Sequence, residues 1–299
     1  MERKTNMKFY AYCCRKDLAD RNGGSLVLWH HLHALEELGH ENGGMLNLED
    51  SPPDDADFLM FQSEWWYALR PHKRHTNAKW ICWLGHFLPH RKYGMPKIAE
   101  IEADYFHTQW QGKMFDYGQE MLEKKNKKLY YLPHAGCHKC NVEGVKIDCP
   151  ETIFIGNTFP ERAEEWLDYA KVSKIRSPFE DCKNYYKSAI VSPNLHGDFQ
   201  KNLVCDFTQI PGYMINERIF QVILSGGFSI SDDNPIVRDF FTEEEIPYAK
   251  DRATFRSMVK NFTERPEKRE PFMLKAKERI LKDHLYIHRW RDYLKEICD

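Results

Sequence analysis

Short apolar runs alternate with helical stretches along almost the whole chain, and that alternation restricts the fold more tightly than any other feature. KFYAYCC (8–14) reads as a buried strand. A polar loop ending in Gly23-Gly24 follows, and SLVLWHHLHALEELG then places Leu28, Leu32 and Leu35 at helical spacing before Gly39, a C-terminal cap. Further strand-like runs are ADFLMFQ (56–62), KWICWLGH (79–86), DYFHTQW (104–110) and KLYYLPH (128–134), with GKMFDYGQEMLEKKNKK as a crossover helix between the last two. A second series runs through TIFIGN (152–157), PERAEEWLDYAKV, SAIVSPNL (188–195), NERIFQVILSGG (216–227), GFSIS (227–231) and IPYAK (246–250). Two helical stretches close the chain, RATFRSMVKNFTE and one long helix from Glu270 to Ile297. Strands alternating with helices imply parallel sheets covered on both faces.

HAGCHKCNVEGVKIDCPE (134–151) has no amphipathic period and separates the two series. The expected organisation is therefore α/β, with two doubly wound Rossmann-like domains facing across a cleft, residues 1–140 and 141–299. The last helix is expected to pack back on the first domain. The length of 299 residues suits two domains. With 43 basic against 45 acidic residues, the net charge of −2 gives no bulk attraction to nucleic acid or acidic membrane, so a charged ligand must be met by local groups. The N-terminal residues lack a secretory core and no run is long enough to span a bilayer, which points to a cytoplasmic protein. Nine cysteines, with Cys13 and Cys14 adjacent in a strand, fit reduced thiols better than a disulfide framework. Cys137, His138, Cys140 and Cys149, with His134, are the one group with metal-ligand character, but a second paired knuckle is missing and plain linker cysteines are the preferred reading.

In doubly wound sheets, ligands bind beyond the carboxyl ends of the strands, and helix N-termini offer unpaired N–H groups to anions. The succession VSPNL, ERIFQVILSGGFSISDD and EKREPFMLKAKERILKDHLYIHRWRDYL resembles the C-terminal domain of GT-B glycosyltransferases. Within these it is similar to the retaining family-four-like group and its spore-maturation-type branch, over about residues 151–295. The resemblance implies transfer of a sugar from a nucleotide diphosphate donor to a glycan or other hydroxyl acceptor, with retention. GDP-mannose is the first donor expected and a UDP-sugar the second, with no metal required. A homodimer is an open possibility, and nucleic acid is not expected as a partner.

The resemblance also implies roles for particular residues. Tyr213, Met214, Ile215 and Asn216 form the turn whose amides meet the diphosphate; otherwise Asn216 or a neighbour simply caps the helix. A family glutamate that binds the ribose hydroxyls falls on Gln221, five residues before Gly226, where a neutral amide replaces the carboxylate. The companion glutamate falls on Tyr213, and Glu217, one turn before Gln221, either compensates for it or simply complements the helix N-terminus. The family's glycine, arginine, four residues and lysine become Gly156, Asn157 and Arg162, so one cation is lost and Arg218 is the nearest substitute in sequence. Alternatively Arg162 is a surface residue paired with Glu161 or Glu165. Gly23 and Gly24 match a loop that lies against the donor, and His86, after KWICWLG, stands where related enzymes touch the donor sugar. Arg162 and His86 are the expected catalytic residues. The tryptophans of WWY (65–67), KWICW (79–83) and QWQ (109–111) are expected mainly in the core. Loss of both carboxylates leaves an idle sugar-nucleotide or glycan-binding module as the alternative, with an epimerase of the same fold and a zinc-stabilised interaction protein behind it.

Overall fold

The structure is a computed structural model, and it describes residues 6–14, 23–85, 97–156, 161–196 and 212–298. Along the chain the strands are β1 (Lys8–Cys13), β2 (Glu41–Asn47), β3 (Phe58–Gln62), β4 (Lys79–Trp83), β5 (Tyr105–Thr108) and β6 (Gln111–Gly112). They continue with β7 (Leu129–Tyr131), β8 (Ile153–Ile155), β9 (Ser173–Ile175), β10 (Gly212–Tyr213), β11 (Ser231–Asp232) and β12 (Tyr248–Ala249). The helices are α1 (Gly23–Glu37), α2 (Trp66–Leu69), α3 (Lys113–Glu123), α4 (Glu161–Tyr169) and α5 (Phe179–Ser188). After them come α6 (Glu217–Leu224), α7 (Pro235–Phe240), α8 (Arg252–Glu264), α9 (Glu270–Asp283) and α10 (Tyr286–Cys298). The chain divides into two compact units. The first holds Met1–Pro133, Leu203–Met214 and Tyr286–Asp299; the second holds His134–Asn202 and Ile215–Leu285.

In the first unit a six-stranded sheet runs in the order β2-β1-β3-β4-β5-β7, every neighbouring pair parallel. Its central strands are buried along their length, as sheets covered on both faces require. β2 is a strand that periodicity does not announce, because ENGGMLN carries two glycines and few β-formers. Tertiary packing explains it. A Cβ at Gly43 would collide with the Tyr10 ring of the neighbouring strand, so the glycine makes room for a tyrosine. The tryptophans fill the core: Trp66, Trp80, Trp83 and Trp110 are all buried.

In the second unit β8 pairs with β9 and β11 with β12, all parallel. Bridges Thr152↔Val191 and Asn194↔Ser231 place the segment 190–194 between the two pairs, which makes one parallel set in the order β9, β8, 190–194, β11, β12. Phe154 faces a core with Trp166, Leu167, Phe228 and Phe255. Ile153 and Ile155 face the other way, toward Tyr186 and Val222. That alternation is the period of two that a twice-covered strand shows.

The expected single C-terminal helix is two. The chain breaks at His284, at φ −127° and ψ 38°, between α9 and α10. The His284 carbonyl accepts from Gly136 N–H at 2.8 Å, and its Nε2 lies 2.9 Å from the Phe240 carbonyl. These bonds hold His284 where an uninterrupted helix would not place it, and α10 belongs to the first unit. No helix among the described residues is long and apolar enough to cross a membrane.

Candidate functional site

The carboxyl end of β8 and the N-terminus of α6 meet in the second unit, and one arginine joins them. α6 is apolar on most of its surface, with Ile219, Phe220, Val222, Ile223 and Leu224 buried, so it is held by packing rather than by propensity. Its end is sharp. Gly226 takes φ +79°, and Gly226 N–H donates to Ile223 O at 3.0 Å while Gly227 N–H donates to Val222 O at 2.9 Å. This pair of bonds is the Schellman termination, which a residue with a Cβ resists.

The other end is left open. Asn216 is extended, and its side chain makes no cap bond to the helix. Its Nδ2 donates instead to Leu195 O at 3.1 Å. Asn216 therefore supplies no side-chain cap to the first turn, which is the positive end of the helix and the end that favours an anion.

Arg218, in that first turn, folds back over β8. Its Nε donates to Ile155 O at 2.8 Å, and its guanidinium lies 4.2 Å above the Phe154 ring. Gly156, at φ +139°, follows β8 directly, and any Cβ there would collide with Nη2. Nη1 is buried and has no hydrogen-bond partner among the described residues. Burial pushes the guanidinium's pKa down, with Tyr186 acting in the opposite sense. A buried cation with no carboxylate partner among the described residues costs several kcal/mol by general estimates of ~3–5 for an uncompensated buried charge. The chemical complement of this arrangement is an anion that accepts from Nη1 and from the open helix end.

The remaining expected residues are distributed as follows. Ile215 is fully buried, and Glu217 begins α6. Gln221 is half-buried on the same helix one turn further on. Tyr213 and Met214 fall in the first unit: the Tyr213 backbone pairs with Gln111 in an antiparallel ladder, and Gln109 Nε2 lies 3.7 Å from the Met214 sulfur. Gly23 and Gly24 are the first residues of α1 in that unit. Arg162 lies in the first turn of α4. His86, Asn157 and the Arg162 side chain lie outside the described residues.

A network that motif reasoning missed anchors the chain just before His86. Gly85 O accepts from Gln109 Nε2 and from Trp110 Nε1, each at 2.8 Å. Gln109 Oε1 in turn accepts from Trp83 Nε1 at 2.7 Å. Among the cysteines, the Cys137 and Cys140 sulfurs lie within 4.8 Å. The Cys137 thiol and burial push the Cys140 thiol's pKa well up. Cys149 packs instead against the apolar cluster that contains Ile153 and Ile155.

Residues 142–295 match a family described as glycosyl transferase-like. No curated protein sequence matches the chain. Among solved structures, T4 phage β-glucosyltransferase with UDP-glucose is 10% identical, with 98% of this chain and 100% of that one covered and a TM-score of 0.66. An α-glucosyltransferase with UDP and a 13-mer DNA is 9% identical over 98% of this chain and 100% of its own, with a TM-score of 0.71. Sucrose-phosphate synthase from Thermosynechococcus elongatus is 10% identical over 98% and 99%, with a TM-score of 0.58. At such identity the likeness establishes the fold.

Proposed function

The chain belongs to the glycosyl transferase-like family and is a glycosyltransferase of the GT-B fold, and we propose that its second unit holds the diphosphate of a sugar nucleotide between Arg218 and the N-terminus of α6. One observation carries this reading: a buried guanidinium with an unpartnered Nη1, beside an uncapped helix end. In the reaction the bond between the sugar's anomeric carbon and the diphosphate oxygen breaks, and its electron pair stays on the diphosphate. The acceptor hydroxyl oxygen bonds to the same carbon and its proton passes to the departing oxygen, on one face, with retention. Arg218 and the helix end stabilise charge as it develops on the leaving group, which is where fixed dipoles act most strongly. Arg162 adds a second cation, and Gln221 binds the ribose hydroxyls. The fixed positive groups serve in place of a metal ion.

The donor is a nucleoside diphosphate sugar. UDP-glucose, bound by the T4 phage enzyme, supports a uridine donor; GDP-mannose is the competing candidate. Calorimetric titration of the parent and of Arg218→Gln with UDP, UDP-glucose, GDP and GDP-mannose tests the reading. The parent is expected to bind one nucleotide series, with Arg218→Gln at least ten-fold weaker, about 1.4 kcal/mol. Arg218→Lys, which keeps the charge but loses the planar fork, should fall between them. Equal affinity in parent and Arg218→Gln, with both folded by circular dichroism, removes the arginine from the site. The anomeric signal of the product in proton NMR tests retention.

A further inference from the structure

A buried histidine and aspartate stand beside the same helix end, and nothing in the reading above uses them. His196 is 4% exposed and Asp232 is 1% exposed. The His196 backbone N–H donates to Asp232 Oδ1 at 3.1 Å, and His196 Nδ1 lies 2.8 Å from the same oxygen. Ser231 Oγ donates to Asn194 O at 3.0 Å and accepts from Asn194 Nδ2 at 3.2 Å, which locks the two parallel segments that carry the pair. An ionised carboxylate only accepts, so the Nδ1 proton is the one in the bond and the ring's tautomer is set. In the neutral ring Nε2 then carries a lone pair. It is buried and has no partner among the described residues.

The position of this orphan acceptor is fixed independently. Leu195, the residue before His196, accepts from the side chain of Asn216, the residue before α6. The imidazole thus belongs to the end of the parallel set that adjoins the open helix terminus. A histidine serving only to tie strands together has no need of a buried unpaired nitrogen, which is destabilising. A neutral lone pair is the wrong complement for a phosphate oxygen and the right one for a hydroxyl.

We propose that His196, oriented by Asp232, is a donor-binding residue whose Nε2 accepts a hydrogen bond from a hydroxyl of the nucleotide sugar. This rests on the reading of the Arg218 site as the diphosphate site. Two parts of the donor carry such hydroxyls, the ribose and the transferred hexose, and they are separated by comparing UDP with UDP-glucose.

The test is calorimetric titration of full-length parent, His196→Asn and Arg218→Gln with both ligands. Asparagine keeps an N–H donor close to the Nδ1 position for Asp232 and removes the Nε2 acceptor. His196→Asn is expected to bind UDP-glucose about ten-fold more weakly. If UDP weakens equally, the hydroxyl is the ribose's; if UDP is unaffected, it is the hexose's. Unchanged affinity for both ligands, alongside a weakened Arg218→Gln, overturns this inference and leaves the diphosphate site standing. A parent that binds neither these ligands nor GDP and GDP-mannose overturns both. Should His196→Asn fail to fold, the 15N resonance of His196 Nε2 in the parent decides. A shift on adding UDP-glucose supports the bond, and an unmoved resonance in the saturated protein overturns it.

Discussion

At the scale of single residues, Gly156 and Gln221 separate the requirements of packing from those of binding. Gly156 meets two demands at once, a φ of +139° and close contact with the Arg218 guanidinium. Gly156→Ala is therefore expected to shift Arg218 and to strain the backbone, with a stability loss of ~1–3 kcal/mol. It should also weaken UDP binding, read by titration beside a melting curve; unchanged binding would separate the glycine from the site. Gln221 makes no such structural demand, being half-buried on α6. Gln221→Leu should leave the melting temperature close to the parent's and weaken donor binding about ten-fold, ~1.4 kcal/mol, through a lost ribose bond. A leucine variant that binds as well as the parent would make residue 221 a plain helix-face position. The ribose role proposed for the glutamine comes from the family resemblance, counted back from Gly226. Arg218 was visible only as a nearby cation, because a contact with Ile155 O crosses 63 residues of sequence.

At the scale of elements, the sheet of the first unit is tied at its strand starts by half-buried carboxylates, Asp57 at β1 and Asp104 at β4. Asp104 precedes β5 and accepts from Trp80 N–H of β4 at 2.8 Å and from Lys73 at 2.9 Å. Burial acts to raise its pKa, but the Trp80 amide and Lys73 outweigh it and hold the carboxyl below the usual carboxylate value. A carboxylate depressed in the folded state stabilises above its unfolded pKa of ~3.9 and loses that contribution as the pH falls through the lower folded value. Asp104→Asn should accordingly cost ~1–2 kcal/mol at neutral pH, since bonds to charged groups are worth ~1.5–3 and this one is partly solvated. Urea denaturation at pH 7 and at a series of pH values below 4 checks the sign: the difference from the parent must shrink in the acid range. A gap that widens there would mean the carboxyl is not held low.

At the scale of the whole molecule, the chain does not complete one unit before starting the next. α10 returns to the first unit, where Trp290 is fully buried. Its ring centroid lies 5.4 Å from that of His31, 6.1 Å from His107 and 5.3 Å from Tyr293. Trp290→Ala should destabilise by ~3–5 kcal/mol, the range for deleting a large buried aromatic, as measured by chemical denaturation. A loss below 1 kcal/mol would show that α10 is dispensable to that core.

Local periodicity was enough to establish alternating strands and helices, the parallel α/β class and the glycine-terminated helix α6, because these depend on residues a few positions apart. It was not enough to find β2, whose glycines read as a break until the Tyr10 ring is placed against Gly43. Nor did it separate α9 from α10, since the helical pattern runs on while His284 is held by Gly136 and Phe240 from elsewhere in the chain. The same holds for the orphan nitrogens of Arg218 and His196. A sequence shows which side chains can make hydrogen bonds, but whether a buried atom goes without one depends on every group that packing brings within 3.5 Å, and those groups come from distant parts of the chain.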